Sequence, residues 1–141
     1  MTISSGPDAT EILAVGYISG DVKTVAVGGT ALVSGASVMN WTSSTNPSLQ
    51  ENPTLRADGA YVAVSLWGNA GDVPTVVLLK AGADAPVFSY ITPGSMFAVD
   101  VNVVAGAGGA PDTVFLAAAG KAVAANQFGN GGNAFGWQIT V

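Results

Sequence analysis

The chain has 141 residues, of which 49% are hydrophobic and only 9% are charged, and its formal net charge is −5. Its few basic residues are scattered along the chain, which argues against a nucleic-acid partner or an anionic membrane surface, because both need clustered Lys and Arg. Since the chain contains neither His nor Cys, Ser–His and Cys–His nucleophiles, disulfides and nearly all zinc sites are excluded.

The N-terminal segment does not have the pattern of a secretory signal. Residues 1–17, MTISSGPDATEILAVGY, lack both a basic start and a following apolar stretch. No apolar run elsewhere approaches the roughly 20 residues that a membrane-spanning helix needs. We therefore expect the chain to be made and folded in the cytoplasm.

The predicted elements are almost all strands. The chain's 19 glycines and 7 prolines interrupt any helical pattern. The windows between them alternate with a period of two and are rich in Val, Thr and aromatic residues, which favour strands. In chain order the predicted strands are 11–18, 22–27, 30–33, 37–42, 54–56, 60–67, 75–80, 86–91, 95–104, 113–119 and 134–141. Short strands at this spacing are typical of a sandwich or a barrel.

The first 35 residues differ from the rest in being richer in glycine and small side chains. Reversals at Gly20, Gly28 and Gly29 separate short alternating strands, and a ribbon of this kind is only marginally stable alone. We therefore expect residues 1–35 to form a β-ribbon or docking arm. Residues 36–141 are expected to form the sandwich domain.

Two strands show how the core is expected to form. The last strand, 134–141, places Phe135, Trp137, Ile139 and Val141 on one apolar face that must be covered. Strand 60–67 is apolar on both faces, which predicts a central strand covered on both sides. Another subunit is one candidate for its second cover.

The large aromatic side chains in the alternating strands are expected in the core or at a subunit interface. In strand 95–104, Phe97 is expected to share the core face with Val99, Val101 and Val103. The full set of predicted core or interface aromatics is Tyr61, Trp67, Phe97, Phe135 and Trp137.

Several short motifs carry a family resemblance. Gly59-Ala60-Tyr61-Val62 follows a short Thr-containing strand, residues 75–82 form a strand with a small turn, and Phe135-Gly136-Trp137 lies in the closing strand. With these motifs, residues 52–141 resemble the C1q/TNF-like jelly roll, including its phage and bacterial members. The resemblance implies a jelly-roll β-sandwich that assembles as a trimer around an apolar axis.

The remaining polar residues do not form a catalytic pattern. The aspartates at 72, 84, 100 and 112 are far apart and lie mostly in turns, so we expect them to cap turns, with an oxygen-ligated calcium site as the alternative. Neither glutamate is paired with a second carboxylate as a glycosidase requires. We therefore expect no enzymatic activity, no cofactor and no metal.

The sequence thus predicts a structural protein of a virion, most specifically a trimeric phage protein made in the host cytoplasm. Capsid decoration, a head fibre and a tail-fibre tip all fit, with other copies of the chain and capsid or other virion proteins as partners. The alternative is a carbohydrate- or receptor-binding module of the same fold that contacts a cell-surface glycan. Trp41, which precedes the polar loop 42–52, is the best candidate for such a contact.

Overall fold

A computed structural model describes residues 2–5, 11–16, 21–28, 31–42, 54–66, 74–80, 83, 85–123 and 131–141; for residues 2–42 it describes the backbone alone. Nearly all of these residues lie in antiparallel strands, and the one helical element among them is a single 3₁₀ turn, Ala107–Gly109. The prediction of an all-β fold is confirmed. In chain order the strands are β1 (Thr2–Ser5), β2 (Glu11–Gly16), β3 (Asp21–Gly28), β4 (Ala31–Thr42), β5 (Thr54–Asp58), β6 (Tyr61–Ser65), β7 (Val76–Lys80), β8 (Phe88–Tyr90), β9 (Met96–Val104), β10 (Thr113–Lys121) and β11 (Gly132–Thr140).

The strands form three hydrogen-bonded sheets, ordered β1-β2-β3-β4, β5-β6-β7-β8 and β11-β10-β9. Within each sheet, neighbouring strands are also consecutive along the chain, which is the connectivity of a meander. The described residues thus form antiparallel sheets that are consistent with a β-sandwich. The jelly-roll connection implied by the family resemblance stays a prediction.

The core lies between the second and third sheets, because each presents an alternating apolar face to the other. In β10 the buried residues are Val114, Leu116 and Ala118, while the residues between them point outward. These side chains pack with Tyr61 and Leu78 of the facing sheet. Period-two alternation along the strands therefore produces a two-layer core with one open outer face on the third sheet.

Strand β6 is buried on both of its faces, as the sequence predicts. Its second face joins a separate apolar cluster made of Leu55, Val62, Val64, Leu66, Val77 and Leu79. That burial is complete within one copy of the chain, so the expectation that another subunit supplies the second cover is wrong. Strands β1 and β2 of the first sheet lie against β5, which is an edge strand of the second sheet.

One predicted facing pattern is also wrong. A β-bulge shifts the register between Ala119 and Gly120, so that Met96 pairs with Gly120 while Ala98 pairs with Ala119. The bulge changes the phase of β9: Met96 enters the core and Phe97 is turned outward, with half of its surface exposed (50%). A strict alternation from Val99 back to Phe97 places Phe97 on the core face, because it does not allow for the extra residue that the bulge adds to β9.

The first sheet spans residues 2–42. The predicted strands 30–33 and 37–42 are one strand, β4, whose register to β3 shifts twice. The boundary expected at residue 35 falls inside β4, and the division into an arm and a body stays a prediction. In the described part of the chain, no helix has the length and apolarity needed to cross a membrane.

Candidate interaction surface

The exposed side of the third sheet, which we call the outer face, is made mostly of small side chains. Phe115, Ala117 and Ala119 of β10 form its centre line, and all three are exposed. Each is flanked by one residue of β9 and one of β11. The cross-strand rows are Asn102–Phe115–Gln138, Asp100–Ala117–Gly136 and Ala98–Ala119–Ala134.

Two adjoining shallow grooves run over the outer face. The first, about 430 Å³, lies along the Phe115 row, and the second, about 260 Å³, lies along the Ala119 row. They share Asp100 and Ala117 in their linings. The grooves form because the alanines at 117, 119 and 134 and the glycine at 136 leave the sheet backbone uncovered. Phe115 stands at one end with 45% of its surface exposed.

A cluster of four aromatic rings fills the opening between β8 and β11. Tyr90 lies 5.2 Å from Trp137 and 5.9 Å from Phe135, measured between ring centroids. Phe135 and Trp137 stack on each other at 5.7 Å, and Phe88 lies 5.5 Å from Trp137. Phe88, Phe135 and Trp137 pack against the core, while Tyr90 keeps 41% of its surface exposed. The cluster therefore closes the core between β8 and β11 and also presents a half-exposed apolar surface.

A polar contact ties the end of β11 to the second sheet. The Tyr61 hydroxyl donates a 2.7 Å hydrogen bond to Oδ2 of Asp112, and the Gly106 N–H donates one of 3.0 Å to Oδ1. Asp112 in turn exchanges two backbone hydrogen bonds with Val141. Nζ of Lys80 lies 3.9 Å from the same carboxylate and 5.1 Å from the centre of the Tyr61 ring.

The electrostatics of this contact follow from burial and hydrogen bonding. Burial of the ring raises the pKa of Tyr61 above its ordinary value. The hydrogen bond from that hydroxyl, helped by the Gly106 N–H, lowers the pKa of Asp112. The Tyr61 oxygen beside Lys80 raises the pKa of the ammonium group. Each shift favours the pairing seen here, which connects two sheets.

The predicted core or interface aromatics occupy different environments. Tyr61 is buried in the core, with 1% exposed, whereas Phe135 and Trp137 are half-buried in the aromatic cluster. Phe97 lies outside the core, and its role at a subunit interface stays a prediction. Trp67 lies outside the described residues.

Trp41, the predicted ligand contact, lies in β4 and is paired with Val22 of β3. Its side chain is outside the described part of the structure, so the contact stays a prediction. Within the ranges that the structure describes, no three acidic side chains come together in a metal-sized cluster. Asp100 caps the N–H of Val101 and Asp112 accepts the bonds described above.

Sequence reasoning missed Phe115, the exposed aromatic residue of the outer face. Phe115 alternates with the buried Val114 and Leu116, so its outward direction is readable from the strand pattern once one face is assigned to the core. The participation of Tyr90 in the aromatic cluster depends on a contact between separate sheets. No local pattern in the sequence predicts that contact.

Comparison with known proteins gave no match among family models, curated proteins or solved structures. The resemblance of residues 52–141 to the C1q/TNF-like jelly roll thus remains a prediction from the motifs.

Proposed function

We propose that the chain is a structural protein of a virion, and most specifically a trimeric phage protein of the capsid surface, a head fibre or a tail-fibre tip. The observation that carries the proposal is the outer face of the third sheet. It presents exposed alanines, a glycine and Phe115 on a firmly paired three-stranded scaffold. Exposed apolar surface that is rimmed by polar residues, here Asn102, Asp100 and Gln138, is typical of protein–protein contact sites and supports the proposal.

The shape of the surface supports assembly over small-molecule binding. Ligand sites usually enclose most of the ligand and place several polar groups around it. The two grooves on the outer face are open and shallow, and Asp100 is the one charged residue in their linings. A neighbouring protein with a matching apolar ridge would exclude water from the whole face at once.

The trimer is the finer part of the proposal and rests on composition and on the family resemblance. Only 9% of the residues are charged, so little of the surface carries groups that keep proteins apart. Three copies in closed cyclic symmetry would cover equivalent apolar faces without leaving an open end. The exposed large apolar side chain of Phe115, on the outer face, is placed where it could make such contacts.

The test compares the intact chain with two surface variants. We expect light scattering at micromolar concentration to give a mass that is a multiple of three chains, and we expect the protein to copurify with particles. Phe115→Asp should stay folded, lose particle occupancy and lower the assembled mass. Ala110→Asp, which changes an exposed residue beside the 3₁₀ turn, should behave as the wild type. A wild-type protein that is a single chain and binds no particle would contradict the proposal.

The half-exposed aromatic cluster favours one second candidate, a carbohydrate- or receptor-binding module. Aromatic rings with one open side stack on the apolar faces of sugars, and Tyr90, which is 41% exposed and lies against Trp137, offers such a side. Glycan-array binding that Tyr90→Ala abolishes would place the site at the cluster. Loss on Trp41→Ala alone would place it beside loop 42–52 instead. Absence of binding to any glycan would remove this candidate.

A further inference from the structure

Strand β11 forms an open edge of the third sheet. Among the described residues it lies at one end of the strand order β11-β10-β9, and it is nine residues long. Its sequence, GNAFGWQIT, contains no charged residue and no proline. Proteins commonly protect sheet edges with charges, prolines, bulges or very short strands, because an unprotected edge pairs with other chains.

The direction of the free backbone groups follows from the ladder. Asp112 and Val141 exchange both of their hydrogen bonds, 2.9 and 3.0 Å long. In an antiparallel pair such positions alternate, so odd-numbered residues of β11 bond to β10 and even-numbered residues point away from it. The outward-pointing set is Gly132, Ala134, Gly136, Gln138 and Thr140, all of which are exposed.

Two other edges of this sandwich, β9 and β8, are protected. Along β9, Oδ2 of Asp58 accepts from the Val103 N–H at 2.6 Å, and the Thr54 hydroxyl donates to the Phe97 carbonyl at 3.0 Å. Strand β8 is only three residues long and lies between Pro86 and Pro93. Within the described part of the chain, β11 is the one of these three edges that is long and has no side-chain caps.

We propose that β11 is an interaction surface that pairs with β11 of a second copy of this chain. The two strands would run antiparallel across a two-fold axis through Gly136. In that register Ala134 faces Gln138 of the other copy and Gly132 faces Thr140, so every outward-pointing residue meets another. The two third sheets then become one continuous sheet of six strands.

Three properties of the strand select a second copy as its occupant. No charge lies on β11, so two copies bring no like charges together. Gly136 meets itself on the axis, where the absence of a side chain leaves the two strands room to approach. On the inner side, Phe135 of one copy faces Trp137 of the other, which extends the half-exposed aromatic cluster.

The pairing is independent of the virion role. A two-fold contact joins two chains, or it joins two trimers if the chain is also a trimer. It uses the edge of the third sheet, whereas the proposed function rests on the outer face. The two proposals can therefore fail separately.

Single cysteines test the pairing directly, because the chain has none of its own. In Gly136→Cys the two thiols lie opposite each other, at a Cα separation of about 5.5 Å for a hydrogen-bonded pair, which is within disulfide range. The site has room, since a Cβ at 136 would lie 4.0 Å from its nearest neighbour, the Leu116 carbonyl oxygen. Ala117→Cys is the matched control: Ala117 pairs with Gly136 one strand further in, and its two copies would be about 14 Å apart, three strand spacings.

Under mild oxidation we expect Gly136→Cys to run as a covalent dimer and Ala117→Cys to remain a single chain. Gly136→Lys should remove the two-fold contact and halve the assembled mass, while Ala117→Lys should not. The proposal is overturned if folded Gly136→Cys does not cross-link, or if both cysteine variants cross-link equally. A wild-type trimer without Gly136→Cys cross-linking would overturn this pairing and leave the virion proposal standing.

Discussion

The two edges of the third sheet differ in how the outward-pointing backbone hydrogen-bonding groups are satisfied. Along β9, the outward backbone groups are bonded by side chains: Asp58 accepts from Val103, Thr54 donates to Phe97, and Asp100 accepts from Val101. Along β11, no side chain of the described residues caps the outward groups of the even-numbered residues. One edge is closed within the chain, and the other is left available to a neighbour.

The same asymmetry appears between the sheets. On the β9 side, polar side chains of β5 reach across and join the second sheet to the third. On the β11 side the gap is filled by the four aromatic rings, and the polar link is the Tyr61–Asp112 bond at one end. A closed edge thus contributes to stability alone, whereas the open edge combines stability with association. Variants on the two sides should separate these effects.

The largest expected effect is at Tyr61. Truncation of a buried aromatic residue leaves a cavity and removes the hydroxyl that bonds Asp112, so Tyr61→Ala should lower the free energy of unfolding by about 3–5 kcal/mol. Urea unfolding measures this loss. Tyr90→Ala, at a tyrosine that is 41% exposed, is the control and should cost much less. Equal midpoints for Tyr61→Ala and the wild type would show that the core assignment of β6 is wrong.

The second effect compares two glycines of paired strands. At the bulge, a Cβ on Gly120 would collide with the backbone carbonyl oxygen of Ser95, and the backbone cannot yield as a side chain can. Gly120→Ala should therefore destabilise the fold by about 3 kcal/mol, the upper end of usual overpacking costs.

At the open edge, a Cβ on Gly136 meets nothing closer than 4.0 Å. Gly136→Ala should leave the midpoint of thermal unfolding close to that of the wild type. If the two glycine variants are equally destabilised, the difference in packing between the bulge and the open edge is not real.

Sequence reasoning recovered the strands better than their edges. Alternation placed Val114, Leu116 and Ile139 in strands, because period two is a local property of the chain. The bulge at Gly120 was missed because an extra residue changes the phase without a distinctive motif, and Phe97 was therefore assigned to the wrong face. Strand β1 was missed altogether, since Thr2–Ser5 has little apolar alternation.

The candidate surface was less predictable than the fold. The apolar stripe of Phe135 and Trp137 was clear from the sequence, but its ring partners on β8 come from another sheet. The caps on β9 are also long-range: Asp58 and Val103 are separated by 45 positions. Such contacts depend on how sheets pack, and a single sequence holds no local signal for them.

The third prediction concerns the loss of one side-chain hydrogen bond at the β9 edge. Asp58→Ala removes the acceptor of the Val103 N–H, and a half-buried donor left without a partner should cost about 1–2 kcal/mol. The free energy of unfolding from urea titration measures this loss, and hydrogen exchange at the Val103 amide should become faster. Asp58→Asn is the matched control, since its amide oxygen can still accept the bond. Identical stability of the alanine and asparagine variants would mean that the cap contributes nothing.

The smallest effect concerns the polar link at the end of β11, and it depends on pH. The hydrogen bond from Tyr61 lowers the pKa of Asp112 in the folded chain, so folding is favoured by the ionised carboxylate. That stabilisation is complete above the ordinary carboxyl pKa and is lost as the pH falls through the lowered pKa of the folded state.

Urea titrations of the wild type and Asp112→Asn between pH 7 and about pH 3, across the ordinary carboxyl range, measure this dependence. We expect the difference in unfolding free energy to be constant at neutral pH and to shrink below about pH 4. Tyr61→Phe keeps the ring and removes the hydroxyl, so it should raise the pKa of Asp112 and weaken the same pH dependence. A difference that stays constant down to pH 3 would mean that the Asp112 carboxylate does not support the end of β11, and that the aromatic cluster alone holds the open side of the sandwich.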